Sequence, residues 1–278
     1  MIIDAHNHMI TGNIIKKMGY KESQMSETLK EFSRHDVKEN TDFWLSEMDK
    51  YEIDKCVFMA NSSLDNDFIE FINSSTRFEG FCKINPIHSD SLDKLKKEID
   101  VGMRGVKFYA TSEGFDVSSL KCYPVYEYCE KNNIPIVIHF GVTIGRNSVL
   151  QMGNPLLLSK VLKDFSNLKF VIAHFGAGFF RETLMLKYKH PNLFVDTSGT
   201  NNWLNYQDNF MNLKDVFRKT IEVYGCEGII YGSDTRIYPD GYRKNVLDIQ
   251  TKILDELGLS SSDKENIMHN NSKRIFNI

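Results

Sequence analysis

The chain has 278 residues, with 34 Lys and Arg against 37 Asp and Glu and a net charge of −3. This near-balance argues against a protein built to grip a nucleic-acid duplex, which carries a clear basic excess. With 41% hydrophobic residues, 17 Gly and 6 Pro, the composition is that of an ordinary folded chain, neither linker-dominated nor collagen-like.

No apolar run reaches the roughly 18 residues of a membrane span. The start, Met1-Ile2-Ile3-Asp4, lacks the basic and then apolar segments of a secretory signal. The cysteines, Cys56, Cys82, Cys122, Cys129 and Cys226, are odd in number and irregular in spacing, and no CxxC occurs. They read as reduced core thiols, so the expected compartment is the cytoplasm.

One pattern recurs along the chain: a short apolar run, polar residues, then a helical stretch. The first run, Ile2–Ala5, is followed by a long polar stretch, about 9–40, expected to be an elaborated loop over a barrel mouth. Further strands are expected at Lys55–Ala60, Phe78–Ile84, Gly105–Tyr109, Ile134–His139, Phe170–His174, Leu193–Asp196 and Gly228–Tyr231. Helical periodicity fills the intervals at Asp42–Tyr51, Asp67–Ser75, Ser89–Val101, Leu120–Asn132, Pro155–Phe165, Arg181–Lys189 and Leu213–Tyr224, with Arg243–Leu257 after the last strand. Residues 260–278 predict a closing helix, capped by Ser262 or Asp263 and packed through Ile267, Ile275 and Phe276. Eight strands alternating with eight helices predict a (β/α)8 TIM barrel as one domain over 1–278. An open doubly wound sheet would announce a glycine-rich loop after its first strand, where this chain has His6-Asn7-His8.

Active sites of such barrels lie at the C-terminal ends of the strands. Strand 1 runs into His6 and His8, strand 5 ends at His139, strand 6 at His174, and strand 8 runs into Asp234. Side chains two apart on a strand share a face, so His6 and His8 can hold one ion together. Barrel closure brings strand 8, and Asp234, beside strand 1. Imidazoles with one carboxylate suit a divalent ion, Zn²⁺ foremost, with Fe²⁺, Mn²⁺ or Co²⁺ as alternatives. Taken singly, each piece is ordinary: a histidine closing a strand is usually a hydrogen-bonded core or loop residue. Their convergence on strand ends is what points to a metal. His35, His88, His190 and His269 fall in loops or helix flanks and read as surface or structural.

The segments DAHNH, IVIHFG, FVIAHFGAG, IIYGSD and NIMHNNSKRIFNI, from residue 4 to the C-terminus, resemble the amidohydrolase superfamily. The likeness is to its amidohydrolase-related branch of decarboxylases, hydratases and lactonases. The resemblance implies a single metal on His6, His8, His139 and Asp234. It implies a catalytic His174, or a His174 that joins the ligands where a second metal binds. On strand 4, Lys107 and Tyr109 are expected to face inward, opposite the apolar face of Val106 and Phe108. Lys107 is expected to stay uncarboxylated, as a basic residue for a substrate anion or for the barrel's polar layer. Deoxyribonucleases that share the HxH carry a glutamate near this strand, and this chain does not.

Mechanism then follows. A divalent ion acidifies its water towards neutral pH; Asp234 takes the proton and returns it to a leaving group; His174 orients the water or polarises a carbonyl. Asp4 is expected either to support His6 or a neighbouring ligand, or to serve only the barrel floor. Gly176-Ala177-Gly178 with Arg181 offers an anion the start of a helix, or merely a tight turn. Arg146, Arg236, Tyr109, Asn202 and Trp203 are candidates for the mouth. These basic groups favour a small carboxylate substrate, hydrolysed at a C–N or C–O bond. Decarboxylation or hydration on the same site is the alternative, and a barrel that only binds a metabolite is a third. Neither nucleic acid nor membrane is an expected partner, and a homodimer is left open.

Overall fold

In the computed structural model, residues 1–11, 27, 30, 35–143, 148–188, 190–207, 211–236 and 241–278 are described. Eight parallel strands follow one another in chain order around a single sheet: β1 (Ile3–Asn7), β2 (Lys55–Met59), β3 (Phe78–Lys83), β4 (Gly105–Phe108), β5 (Ile136–Ile138), β6 (Phe170–Ile172), β7 (Leu193–Asp196) and β8 (Ile229–Ile230). The ring closes between β8 and β1, where Ala5 N–H donates to Tyr231 O at 3.0 Å and Asn7 bridges Thr235 in parallel. The architecture is the (β/α)8 barrel that the strand–helix alternation predicts.

Alternation along the strands divides the apolar residues into two cores. Cys56, Phe58, Val106, Phe108, Ile136 and Ile138 face outward into a large core under the helices. Ile3, Ala5, Val57, Met59, Phe81, Val137, Val171, Phe194 and Ile230 face inward and fill the barrel. Because a strand has a period of two, Lys107, between Val106 and Phe108, must point inward, and it is fully buried there.

The strands alternate with α1 (Val37–Lys50), α2 (Asn66–Asn73), α3 (Ser91–Asp100), a short α4 (Ala110–Glu113), α5 (Tyr123–Lys131), α6 (Ser159–Asp164), α7 (Phe180–Leu186), α8 (Leu213–Tyr224) and α9 (Lys244–Glu256). Two expectations need correction here. Helix α1 begins inside the stretch expected to be loop, because Asp36 and Glu39 form a reciprocal capping box that starts it early. Most of the rest of the expected loop, 12–26, 28–29 and 31–34, with Lys16, Lys17, Lys21 and Glu22, lies outside the described residues.

The C-terminal segment is helical throughout, as expected, but with a π-helical turn inside it and a different cap. It comprises α10 (Ser261–Glu265), a π-helical turn (Asn266–Asn270) and α11 (Asn271–Phe276). Ser260, rather than Ser262 or Asp263, caps it by accepting from Asp263 N–H at 3.1 Å. Its end inserts Ile275 and Phe276 into the inner core, with Phe276 edge-on to Phe81 at 4.7 Å. Lys169, just before β6, donates to the carbonyls of Arg274 and Ile275. The C-terminal helix therefore plugs the barrel at the end opposite the strand C-termini.

Candidate metal centre

The site grows from the C-terminal ends of β1, β6, β7 and β8. An irregularity in the β1–β2 register between Asp4 and Asn7 interrupts the alternation of β1, and His6, within the strand, and His8, just beyond it, both reach the site. After β8 the chain turns through Asp234, whose N–H donates to His6 O at 2.8 Å and whose φ is +59°. A left-handed backbone at a non-glycine residue costs about 1–3 kcal/mol. Here it brings the carboxylate back to His8, with 3.3 Å between Asp234 Oδ1 and His8 Nε2. Arg243 Nη1 donates to the other oxygen at 3.4 Å. One donor atom from each of His6, His8 and Asp234 lies within 4.8 Å of the others.

Hydrogen bonding tests whether this group suits a cation. His8 Nδ1 lies 3.2 Å from Met59 O, which only accepts, so Nδ1 carries the proton. Its Nε2 then holds a lone pair that faces a carboxylate oxygen. Burial lowers the His8 pKa against the opposing pull of Asp234, so the imidazole is neutral and two acceptors confront each other. That is the donor set of a divalent ion rather than of a hydrogen bond. Burial also works against an ionised Asp234, and only positive charge, on protonated His8, His174 and His6 or on a bound cation, outweighs it and holds its pKa well below the usual carboxylate value. The residues present therefore fit a divalent ion.

His6 is the most enclosed ligand candidate. Burial, and then Lys107, lowers its pKa to about 3, so it too is neutral. Its Nδ1 lies 2.7 Å from Asp196 Oδ2, and its Nε2 lies 3.3 Å from Lys107 Nζ. Burial lowers the Lys107 pKa to about 8. An ammonium only donates, so Nε2 of His6 presents its lone pair.

His174 follows β6 in a turn where His174, Phe175 and Ala177 all have positive φ. Asp196 Oδ1 accepts from His174 N–H at 2.8 Å and fixes this turn, while His174 Nδ1 lies 2.8 Å from Ser198 Oγ. Gly199, at φ +92°, packs so close that a Cβ there would stand 3.2 Å from His174 Nδ1. His174 and Asp196 group with His6 in a second cluster whose donor atoms also lie within 4.8 Å of one another. Burial tends to raise the Asp196 pKa, but His6, His174 and Lys107 prevail and lower it. The sequence reading passed over Asp196 and Ser198. The signal was there: Asp196 ends a predicted strand just after the inward-facing Phe194, two residues back.

The other candidates are dispersed. His139 lies beyond the last residue of β5, its ring 4.8 Å from that of His174, with Nε2 3.3 Å from Val142 O. It is thus beside the site but outside both donor groups. Asp4 touches no imidazole nitrogen. It accepts from Ser233 N–H at 2.9 Å, His6 N–H at 3.3 Å and Tyr242 Oη–H at 2.7 Å. It thereby fastens the β1–β8 seam, and burial raises its pKa to about 6 against those bonds. Tyr109 turns inward and donates to Ala60 O at 3.3 Å. Arg181 points away: its side chain is 84% exposed and pairs with Glu182. Gly176, Ala177 and Gly178 all have positive φ and make a tight left-handed turn. Arg146 lies outside the described residues. His139, His174, Asp234, Arg236, Asn202 and Trp203 line one cleft of about 570 Å³.

No match was found among curated proteins. Among solved structures, the chain resembles a TIM-barrel protein from Bordetella bronchiseptica, at 18% identity and a TM-score of 0.73 over 99% of this chain and 97% of that one. It resembles 5-carboxyvanillate decarboxylase from Sphingomonas paucimobilis at 16% identity and a TM-score of 0.69, over 100% and 99%. An amidohydrolase from Burkholderia multivorans with bound zinc matches at 12% identity and a TM-score of 0.70, over 100% and 99%. At these identities the likenesses speak to the fold. The family does not rest on them: the amidohydrolase family model matches residues 3–278, nearly end to end, and the chain belongs to that family.

Proposed function

We propose that this chain is a metal-dependent hydrolase of a C–N or C–O bond in a small, carboxylate-bearing substrate, with one divalent ion, Zn²⁺ foremost, on His6, His8 and Asp234. The sequence reading adds His139 as a fourth ligand. The observation that carries the proposal is the pair of acceptors, His8 Nε2 and Asp234 Oδ1, facing each other at 3.3 Å with Nδ1 of His8 committed to Met59 O. When bound, the ion supplies Lewis acidity, which acidifies water and polarises a substrate oxygen.

The chain's own groups handle the proton and the substrate. Asp234, held ionised, accepts the proton of the attacking water and returns it to the leaving atom. His174 has Nδ1 against Ser198 O and Oγ, which leaves its Nε2 to face the water and aim it. Of the sequence reading's two roles for His174, this tautomer favours orienting water over polarising a carbonyl. Arg236, exposed on the cleft rim, suits a substrate carboxylate.

A lyase on the same site is the second reading. It is supported by the likeness to 5-carboxyvanillate decarboxylase and by Arg236, which would hold the departing carboxylate while Asp234 moves the proton. A panel of small amides, lactones and aromatic acids, assayed for released ammonia, acid or CO₂, separates the two. The metal reading is tested by His6→Ala with His8→Ala, which should empty the site and leave the fold. Full metal occupancy in that double variant would overturn it.

A further inference from the structure

We propose that Asp196 is a positioning residue that sets the tautomers of two histidines at once, His6 directly and His174 through Ser198. The consequence for metal affinity rests on the proposed metal reading; the tautomers themselves do not.

The assignment follows from counting donors and acceptors around one buried carboxylate. Asp196 Oδ2 stands 2.7 Å from His6 Nδ1. Asp196 Oδ1 accepts from the backbone N–H groups of His174 at 2.8 Å and Ser198 at 3.1 Å, and from Ser198 Oγ–H at 2.5 Å. A carboxylate only accepts, so His6 Nδ1 carries a proton. The far nitrogen agrees: His6 Nε2 faces the Lys107 ammonium at 3.3 Å and must accept.

Ser198 has one hydroxyl proton and gives it to Asp196. Its oxygen is then free to accept from His174 Nδ1 at 2.8 Å, and that same nitrogen lies 3.1 Å from Ser198 O, which can only accept. His174 Nδ1 is therefore protonated too. With Nδ1 protonated, the lone pair of a neutral ring sits on Nε2, which in His6 faces Lys107. A carboxylate serving only to staple the turn would need its two backbone bonds and nothing more. The direct contact to one imidazole and the hydroxyl relay to another go beyond that. Fixing a ring's far nitrogen is how an outer carboxylate sets the orientation and basicity of a ligating histidine.

The first test needs no variant. Long-range ¹H–¹⁵N correlation spectra of histidine-labelled, metal-free protein should show His6 and His174 both as Nδ1–H, Nε2-bare rings, assigned through His6→Gln and His174→Gln. Nε2–H forms for both rings would overturn the proposal. The second test is zinc affinity by competition with a chromophoric chelator. Asp196→Asn should weaken it about 10–100-fold, the usual scale for losing such a partner, with unchanged circular dichroism. Ser198→Ala should move the His174 signals most and those of His6 less, because His6 Nδ1 keeps Asp196 Oδ2 at 2.7 Å when it loses Ser198 Oγ at 3.1 Å. A folded Asp196→Asn protein with wild-type zinc affinity and unmoved imidazole signals would sink the idea. Wild-type protein that takes up no zinc would instead sink the metal reading and leave the spectra to decide this one. Should Asp196→Asn fail to fold, the wild-type spectra still decide.

Discussion

At the scale of single residues, the site separates residues by what their bonds leave free. Asp234 is shared between ligand and proton carrier, so Asp234→Asn should abolish turnover while elemental analysis still finds part of the metal. His174 groups with His6 and Asp196 rather than with His8 and Asp234. His174→Ala should keep most of the metal while kcat falls about 100-fold or more, the scale of a lost acid–base or orienting group. Loss of all metal from that variant would make His174 a ligand. Asp4 gives a pH dependence of stability with a definite sign. Its pKa rises from 3.8 free to about 6 in the fold, so the native state holds this proton more tightly. Its contribution is full below pH 3.8 and is lost as pH rises through about 6. Asp4→Asn keeps an acceptor for Ser233 and offers an NH₂ to the Tyr242 oxygen, whose own proton can turn to Tyr231. The fall in Tm of metal-free protein across that window should therefore be smaller in the variant than in the wild type.

At the scale of elements, the strand ends decide more than the strands. β5, β6 and β8 are only two or three residues long, and His139, His174 and Asp234 all follow them in turns. Three neighbouring elements meet at Gly232, where a Cβ would stand 2.9 Å from both His6 Cβ and Ser198 Cβ. Gly232→Ala should push β1 and β7 apart at the site. We expect a stability loss of about 1–3 kcal/mol by denaturant titration, the range for overpacking, together with weakened zinc binding. Wild-type stability and affinity in that variant would show that the seam yields more easily than its packing implies. Lys107 belongs at this scale too, because the alternation of β4 drives it inward. We expect it to remain unmodified, so that zinc content is the same with and without bicarbonate; a carbamate on Lys107 would reverse that.

At the scale of the molecule, the barrel has a chemical end and a structural end. The site occupies one, and Ile275 and Phe276 of α11 plug the other. Phe276→Ala should open a cavity against Phe81 and cost about 3–5 kcal/mol in denaturant unfolding. The metal stoichiometry of the folded fraction should not change, because the plug and the ligands lie at opposite ends of the strands. A variant that unfolded no more easily than wild type would show that the plug is dispensable.

The sequence by itself determined the barrel, because eight apolar runs alternating with helical periodicity admit few other packings. It also determined the inward turn of Lys107, through a period of two that tertiary contacts do not alter, and the meeting of His6, His8 and Asp234, since a closed ring must set strand 8 beside strand 1. The early start of α1 was legible too, since Asp36 and Glu39 stand at capping-box spacing, although the polar stretch around them reads as loop. The sequence could not show that Asp4 fastens the β1–β8 seam through Tyr242, 238 residues away. Nor could it show that Asp196, 190 residues from His6, reaches two imidazoles. Periodicity reports which face a side chain takes. Which partner it finds there depends on turns such as the left-handed one at His174, whose backbone is held by the tertiary structure and not by its own residues.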